Sequence, residues 1–225
     1  MRLIVVTLMA LLSSATPLHA DEHPAYAGGG VTVSTWSGRE SPELSASLRE
    51  LNSTGATVAG VSAEAGVSVR RGLSLGAEVT IPGRHEWTQT SHYLVHPAQT
   101  KTRYRDATFS GVARLQRPSG MFRPGLVGGL DLVLQDSLER GAAGHVGPGG
   151  AITFDPLGEE HSNRAWTIGA AVGADASLAI SDRVAIVPGA RLHFIYREGV
   201  LGGSIGRLNV SGVVLRAGVS VRATF

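Results

Sequence analysis

The feature that most constrains this chain is the alternation of apolar side chains with mostly polar or small ones over residues 213–225. A β-strand places successive side chains on opposite faces of its sheet, so an alternating segment has two chemically different faces. The apolar face carries Val213, Leu215, Ala217, Val219, Val221, Ala223 and Phe225, and the opposite face carries Arg216, Ser220, Arg222 and Thr224. The pattern therefore predicts a strand with one apolar face and one polar, cationic face.

The same alternation recurs along the chain and predicts further strands. In the segment 73–82, for example, the odd-numbered positions are apolar and the even-numbered positions are mostly small or polar. The eight predicted strands are about 27–36, 57–69, 73–82, 105–116, 121–134, 165–180, 184–196 and 208–225. Pro124 and Pro188 each remove a backbone donor inside a predicted strand, so we expect a bulge or a strand end there.

The joints between these strands alternate between two kinds. Those at 70–72, 117–120 and 181–183 are short and rich in Gly, Pro, Ser or Asp, which are turn-forming residues. The long joints are about 37–56, 83–104, 135–164 and 197–207, and the glycine-rich run Gly141–Gly150 is expected to be a flexible loop. Short turns on one rim and long loops on the other predict an all-β, eight-stranded antiparallel up-and-down barrel.

The N-terminus has the pattern of a secretory signal peptide. Arg2 precedes an apolar run from Leu3 to Leu12, which is too short to span a bilayer, and Leu18-His19-Ala20 offers a cleavage site. We therefore predict a signal peptide at 1–20, cleaved after Ala20, followed by one barrel domain at 21–225. The chain has no cysteine, so an exported fold has to be held together without disulfides.

The composition of the polar face of the strands discriminates between two kinds of barrel. A soluble, lipocalin-like carrier places its apolar face inside, whereas a membrane barrel places it against lipid. The charges on the polar parity are sparse, mixed in sign and include only arginine as the base, which suits paired charges in a confined interior. The predicted interior charge network is Glu64, Glu78, Asp106, Arg114, Arg123, Asp131, Asp175, Arg191, Arg216 and Arg222.

Aromatic residues cluster near both ends of the predicted strands, as the interfacial girdles of a membrane barrel do. Trp36 and Tyr104 nevertheless fall on the polar parity, which indicates either a register shift or side chains that cap the lumen. The residues near the long-loop ends are Trp36, Tyr104, Trp166, Phe194 and Tyr196, and those near the turn ends are Phe122 and Phe225.

These features together resemble the small eight-stranded outer-membrane proteins of the OmpA/OmpX type. The resemblance is carried by the signal ending at Ala20, the alternating strands, the tight turns and the terminal segment 219–225. It implies that Phe225 is the aromatic signal recognised by the barrel-assembly machinery. It also implies a location in the outer membrane of a Gram-negative bacterium, reached through the periplasm, among outer-membrane lipid and lipopolysaccharide. We expect no peptidoglycan-binding domain after the barrel.

Two chemical alternatives remain open beside a structural role. The interior charges form either a salt-bridged plug or a narrow path for ions or small solutes, and the small interior of an eight-stranded barrel favours the plug. The second alternative is a lipid A-modifying hydrolase: small barrels that resemble the lipid A deacylase carry a histidine, a serine and an acidic residue that face the lipid near the outer rim. His193, with Glu198 nearby, is the candidate, but Ile195 occupies the position where the deacylase pattern has a serine, and His193 has the inward parity.

The histidines of the second long loop are a weak metal candidate. His85, His92 and His96, with Trp87 and Tyr93 beside them, are spaced too irregularly for the three or four convergent ligands of a metal site. We expect them to be solvated loop residues. The glycine run at 141–150 lacks the lysine and the following helix of a phosphate-binding loop.

The sequence therefore predicts a non-enzymatic barrel with a structural or adhesin-like surface role and extracellular long loops. We expect a monomer with no cofactor, no metal and no catalytic residues. The formal net charge is +2 and the arginines are scattered, which gives no indication of nucleic-acid binding.

Overall fold

The computed structural model describes residues 24–38, 49–52, 57–92, 97–197 and 209–225. The predicted signal peptide at 1–20 and its cleavage site at Ala20 lie outside these residues. Among the residues described, no helix is long and apolar enough to cross a membrane. The strands are β1 (Ala25–Gly38), β2 (Arg49–Asn52), β3 (Thr57–Arg70), β4 (Leu73–Pro82), β5 (His85–His92), β6 (Pro97–Gln116), β7 (Phe122–Val146), β8 (Ile152–Phe154), β9 (His161–Ala179), β10 (Val184–Arg197) and β11 (Asn209–Thr224).

The sheet closes on itself between its first and last strands. β1 pairs antiparallel with β3 on one side and with β11 on the other, in continuous register from Tyr26↔Thr224 to Gly38↔Gly212. β4 and β5 both pair with β6 and together form one barrel strand. Going round the wall, the order is β1, β3, β4 with β5, β6, β7, β9, β10 and β11. The predicted closed, eight-stranded antiparallel barrel is confirmed.

The faces of the strands are inverted relative to those of a soluble barrel. Outward-pointing apolar side chains are strongly exposed, for example Leu126 at 66% and Leu130 at 75%. Inward-pointing charged side chains are buried, including Arg114 at 1% and Asp106 at 0%. An apolar exterior around a polar interior is the arrangement of a barrel that sits in lipid. Closure pairs the first strand of the barrel with the last, so the wall in the apolar band has no free edge between them, as a bilayer requires.

The tight turns of the predicted short-turn rim occur where the sequence placed them. Gly72 and Gly120 have φ angles of +78° and +109°, a left-handed conformation that favours glycine. The two strand prolines are also accommodated at breaks in pairing. β10 pairs with β11 through Val187 and Pro188, but both residues are skipped on the β9 side. The β6–β7 pairing stops at Gln116↔Gly125, one residue short of Pro124.

Three of the predicted long loops are wrong in extent, because each contains strand. The joint predicted at 37–56 contains the end of β1 and all of β2. The joint predicted at 83–104 contains β5 and the first part of β6, and that predicted at 135–164 contains the end of β7, β8 and the start of β9. The glycine run at 141–150 is likewise part of a β7–β8 hairpin, in which Gly144 pairs with Phe154. Strands above the lipid have no reason to alternate apolar and polar residues, so the pattern that locates the membrane strands misses them.

Prediction one concerns the lipid-facing surface. Leu130→Arg should lower the free energy of unfolding in phospholipid vesicles by about 2–4 kcal/mol, because it places a cation against hydrocarbon near the middle of the apolar band. Leu157→Arg is the matched control, since Leu157 is also exposed but lies outside the strands. The measurement is urea-induced unfolding followed by tryptophan fluorescence. Equal, small effects of both substitutions would indicate a soluble barrel of the lipocalin type.

Candidate functional site

The lower half of the lumen, nearer the short turns, is organised around the carboxylate of Glu64. Arg114 donates from Nη2 to its Oε2 at 3.0 Å, and Arg222 donates from Nη2 to both carboxylate oxygens at 3.0 Å. Ser220 adds a hydroxyl hydrogen bond to Oε1 at 3.1 Å. One carboxylate, 7% exposed, thus pairs with two guanidinium groups from opposite parts of the wall.

Arg114 links this carboxylate to a second one across the lumen. Its Nε donates to Asp175 Oδ2 at 2.6 Å, and its Nη1 donates to the Tyr26 hydroxyl at 2.9 Å. Gln116 completes the group by donating from Nε2 to Asp175 Oδ1 at 2.9 Å. Each nitrogen of the buried Arg114 guanidinium therefore has an acceptor, which is the condition for keeping such a charge out of water.

The aromatic ring of Tyr26 fits into the lumen because two glycines leave room for it. Gly66 and Gly76 are register partners on β3 and β4, and a Cβ atom on either would lie 2.5 Å from the Tyr26 hydroxyl oxygen. The Arg222 guanidinium carbon lies 4.8 Å from the centre of the ring, within range of a cation–π contact. Tyr26 therefore packs among the lower charges rather than facing lipid.

A second layer of paired charges lies in the upper half of the lumen. Arg216 donates to Asp106 Oδ2 and to the Thr108 hydroxyl, both at 2.7 Å. Beside it, His193 Nδ1 lies 2.8 Å from Asp131 Oδ2, and the Ser110 hydroxyl donates to Asp131 Oδ1 at 2.6 Å.

Between the two layers lies a small polar cavity of about 50 Å³. Arg191 crosses this level, donating from Nη1 to Glu78, while its Nη2 lies 4.0 Å from Asp175. A few water molecules fit in such a volume. The described lumen thus contains two hydrogen-bonded charge layers, and the Arg191–Glu78 ion pair and a small solvent-sized space lie at the level between them.

The structure brings together all the predicted interior charges except Arg123. That residue points inward on β7 but makes no ion pair with any residue the structure describes. Sequence reasoning missed Tyr26, since the first strand was predicted to begin one residue later. Tyr26 shares the even parity of Gly28, Gly30 and Thr32, so extending the alternation would have found it. Tyr104, the aromatic of uncertain parity, points into the lumen and is 7% exposed.

The candidate histidines lie in two different environments. His85 is buried at 2% exposure on β5, so its expected role as a solvated loop residue is wrong. His92 ends the same strand, and His96 and Tyr93 lie outside the described residues. Within the ranges described, no group of three metal-binding side chains forms. His193 and Ile195 both point into the lumen, at 3% and 1% exposure, and Glu198 is not among the described residues.

Closure, an apolar exterior and a charged interior define the class of the protein as a small eight-stranded outer-membrane β-barrel.

No protein-family model matches the chain, and no curated protein matches it. Its fold is similar to that of solved bacterial proteins. Neisserial surface protein A is 15% identical, with 89% of this chain and 97% of that chain covered and a TM-score of 0.41. Ail, the attachment invasion locus protein of Yersinia pestis, is 12% identical, with 91% and 99% covered and a TM-score of 0.46. The β-barrel domain of Pseudomonas aeruginosa OprF is 9% identical, with 89% and 97% covered and a TM-score of 0.39.

Prediction two tests the lower charge layer. Glu64→Gln should reduce the free energy of unfolding by about 3–5 kcal/mol, because it leaves the Arg114 and Arg222 charges buried with one carboxylate fewer. Glu160→Gln is the control, since the Arg140–Glu160 pair is exposed and should cost less than about 1 kcal/mol. Urea titration in vesicles measures both values. A Glu64→Gln cost no larger than that of the control would mean that the lower layer does not stabilise the barrel.

Proposed function

We propose that this protein is a non-enzymatic, non-conducting outer-membrane barrel that presents a polar β-sheet wall at the cell surface. The observation that carries the proposal is the continuation of the sheet beyond its lipid-facing part. β6 and β7 remain paired from Leu115↔Leu126 in the apolar band up to Ala98↔Ala143. Paired strands above the lipid can display side chains to a partner at the surface. A barrel that served only as a membrane anchor would not need them.

The wall is tall and ordered by backbone pairing. The run of outward apolar residues on β6 and β7 ends near Ala107 and Leu134, with Leu138 a further apolar residue above it. Pairing continues for roughly 30 Å of strand beyond Ala107 and Leu134. β5 extends the wall on one side of β6, with His85↔Tyr104 to His92↔Pro97 in register. The β7–β8 hairpin forms its edge. A wall of hydrogen-bonded strands presents side chains at defined positions, which favours recognition of a partner at the surface.

The filled lumen supports a structural role over transport. The charge layers around Glu64 and around Asp106 occupy the two halves of the interior, and the cavity between them is small. Ions would have to displace buried, paired side chains to cross. An eight-stranded interior is only just wide enough for its own side chains, which agrees with this reading.

The absence of enzymatic activity is part of the proposal. A lipid hydrolase of the type considered above needs its histidine at the lipid surface, whereas His193 is buried in the lumen with Nδ1 against Asp131. We further propose that the chain is a monomer in the outer membrane of a Gram-negative bacterium, reached through the periplasm. Its surroundings would be outer-membrane lipid and lipopolysaccharide, and Phe225 would serve as its signal to the barrel-assembly machinery.

Prediction three tests the orientation of the barrel in the membrane. The chain has no native cysteine, so only an introduced cysteine can react with the label. Val146→Cys, at the top of the wall, should react with a membrane-impermeant maleimide in intact cells. Met121→Cys, in a short turn, is the matched control, because Val146 and Met121 are both well exposed. It should react only after the outer membrane is permeabilised, since it would lie on the opposite side of the membrane. The reverse pattern would place the wall in the periplasm and overturn the proposed surface role.

Prediction four tests the filled lumen. The folded protein should be electrically silent in a planar bilayer, because the two charge layers close the interior. The control is Glu78→Gln, which removes the carboxylate partner of Arg191 at the level of the cavity. Single-channel steps in the wild type whose size or ion selectivity changes in Glu78→Gln would contradict the proposal and identify a narrow ion path.

A further inference from the structure

We infer that the short-turn end of the barrel binds an anionic polymer of the periplasm that carries carboxylates at repeated positions. This inference rests on the proposed orientation, which places the short turns on the periplasmic side. It adds a partner class that the proposed role of the wall does not include. The site, here called the turn rim, consists of the three short turns and one inward-pointing residue beside them, and its cations are Arg70, Arg71, Arg117, Arg123 and Arg183.

The arginines of the turn rim are not needed to form the turns. Gly72 and Gly120 supply the positive φ angles of the first two turns. In the third turn, the Ser181 hydroxyl accepts hydrogen bonds from the backbone N–H groups of Arg183 and Val184, at 3.4 and 3.2 Å. Small polar residues would serve at the remaining turn positions. The arginines in all three turns therefore indicate a role outside the turn itself.

The turn rim carries an excess of exposed positive charge. The four turn arginines are all exposed, and Asp182 is the one acidic residue in these turns, which the structure describes completely. Four arginines and one aspartate give the three turns a net charge of +3. None of the four guanidinium groups forms an ion pair with a residue that the structure describes. Their charge is therefore available to a ligand.

The turns are joined to the neighbouring strand ends by backbone hydrogen bonds. The Gln116 N–H group donates to the Gly72 carbonyl at 2.7 Å, which links the first turn to the strand end that enters the second. The Thr224 N–H group donates to the Arg183 carbonyl at 2.8 Å and links the third turn to β11. The arginines are thus anchored at separate, fixed points around one end of the barrel. Such an arrangement engages several anionic groups of one chain at once.

Arg123 favours a ligand from the aqueous side over a lipid headgroup. It points into the mouth of the lumen from β7, and its Nε is buried without a hydrogen-bond partner among the described residues. The nearest interior carboxylates, Glu64 and Asp175, already accept hydrogen bonds from Arg114. An anionic group from the periplasm can approach the mouth, whereas a headgroup in the plane of the bilayer lies outside the wall.

The chemistry of the turn rim fits a polymer rather than a small anion. The planar fork of arginine pairs with a carboxylate through two parallel hydrogen bonds. One exposed ion pair contributes little to binding, so an anion that contacts a single arginine would be held weakly. The bacterial cell wall, a glycan with carboxylate-bearing peptide stems, supplies repeated carboxylates in the periplasm. It is the polymer that we assign to the turn rim.

The test measures co-sedimentation of the full mature barrel, folded in a neutral detergent, with insoluble cell-wall sacculi freed of protein. A second preparation of sacculi, with its carboxylates converted to neutral amides, tests the ligand chemistry. The turn-rim variant is Arg71→Gln with Arg117→Gln. The matched control is Arg140→Gln with Arg164→Gln, which removes the same charge from exposed positions at the opposite end of the barrel. Circular dichroism verifies the folding of each variant.

The wild-type barrel should bind untreated sacculi about tenfold more tightly than amidated sacculi, since several weak ion pairs act together. The turn-rim variant should lose most of that difference, and the control should keep it. No preference for untreated sacculi, or equal losses in the variant and the control, would overturn the inference.

A third variant, Arg123→Gln, separates the polymer from a lipid. It should weaken binding to untreated sacculi and leave unchanged the binding of phosphatidylglycerol, measured in the same detergent by native mass spectrometry. Equal weakening with both probes would place a lipid headgroup at the mouth and overturn the inference. Because these measurements use protein in detergent, their outcome is independent of the labelling test of orientation, and a failure of either proposal can be recognised separately.

Discussion

The structure depends on the need of every backbone N–H and C=O group in lipid to find a partner within the protein. A sheet with free edges fails that requirement, so the chain closes by pairing β1 with β11 from Tyr26↔Thr224 to Gly38↔Gly212. Closure fixes which residues face inward. Polar side chains that alternate with the lipid-facing ones are then confined together, and their charges have to be paired. The layers around Glu64 and Asp106 are thus a consequence of closure as much as a cause of stability.

The interior and the outer face of the wall pair their charges in different ways. Inside, each charge is enclosed by its partners, as for Arg114 between Glu64 and Asp175. Outside, a carboxylate such as Asp136 is covered by two arginines that remain open to the surroundings. The first arrangement encloses its charges, and the second leaves the arginine side chains accessible. We therefore assign the lumen to structure and look for recognition on the wall above the lipid.

Alternation predicted the membrane-spanning parts of the strands well, because lipid on one side and a polar lumen on the other impose a period of two. The same signal failed above the lipid, where Pro97–Tyr104 of β6 and Gln135–Val146 of β7 are strand without an apolar face. It placed Arg114, Glu64 and Asp175 in the interior but carried no information on which of them pair. His85 was misassigned to a loop for the same reason, since only its pairing with Tyr104 puts it inside.

The sequence by itself determined the barrel architecture, the number of strands, the inverted faces and the set of interior charges. These follow from local side-chain periodicity and turn chemistry, which each short segment carries independently. Only the tertiary structure decided the partners within the lumen, the fit of Tyr26 against Gly66 and Gly76, and the meeting of Arg84 and Arg105 at Asp136. Those features depend on the register between strands distant in sequence, and register is set by closure of the whole sheet.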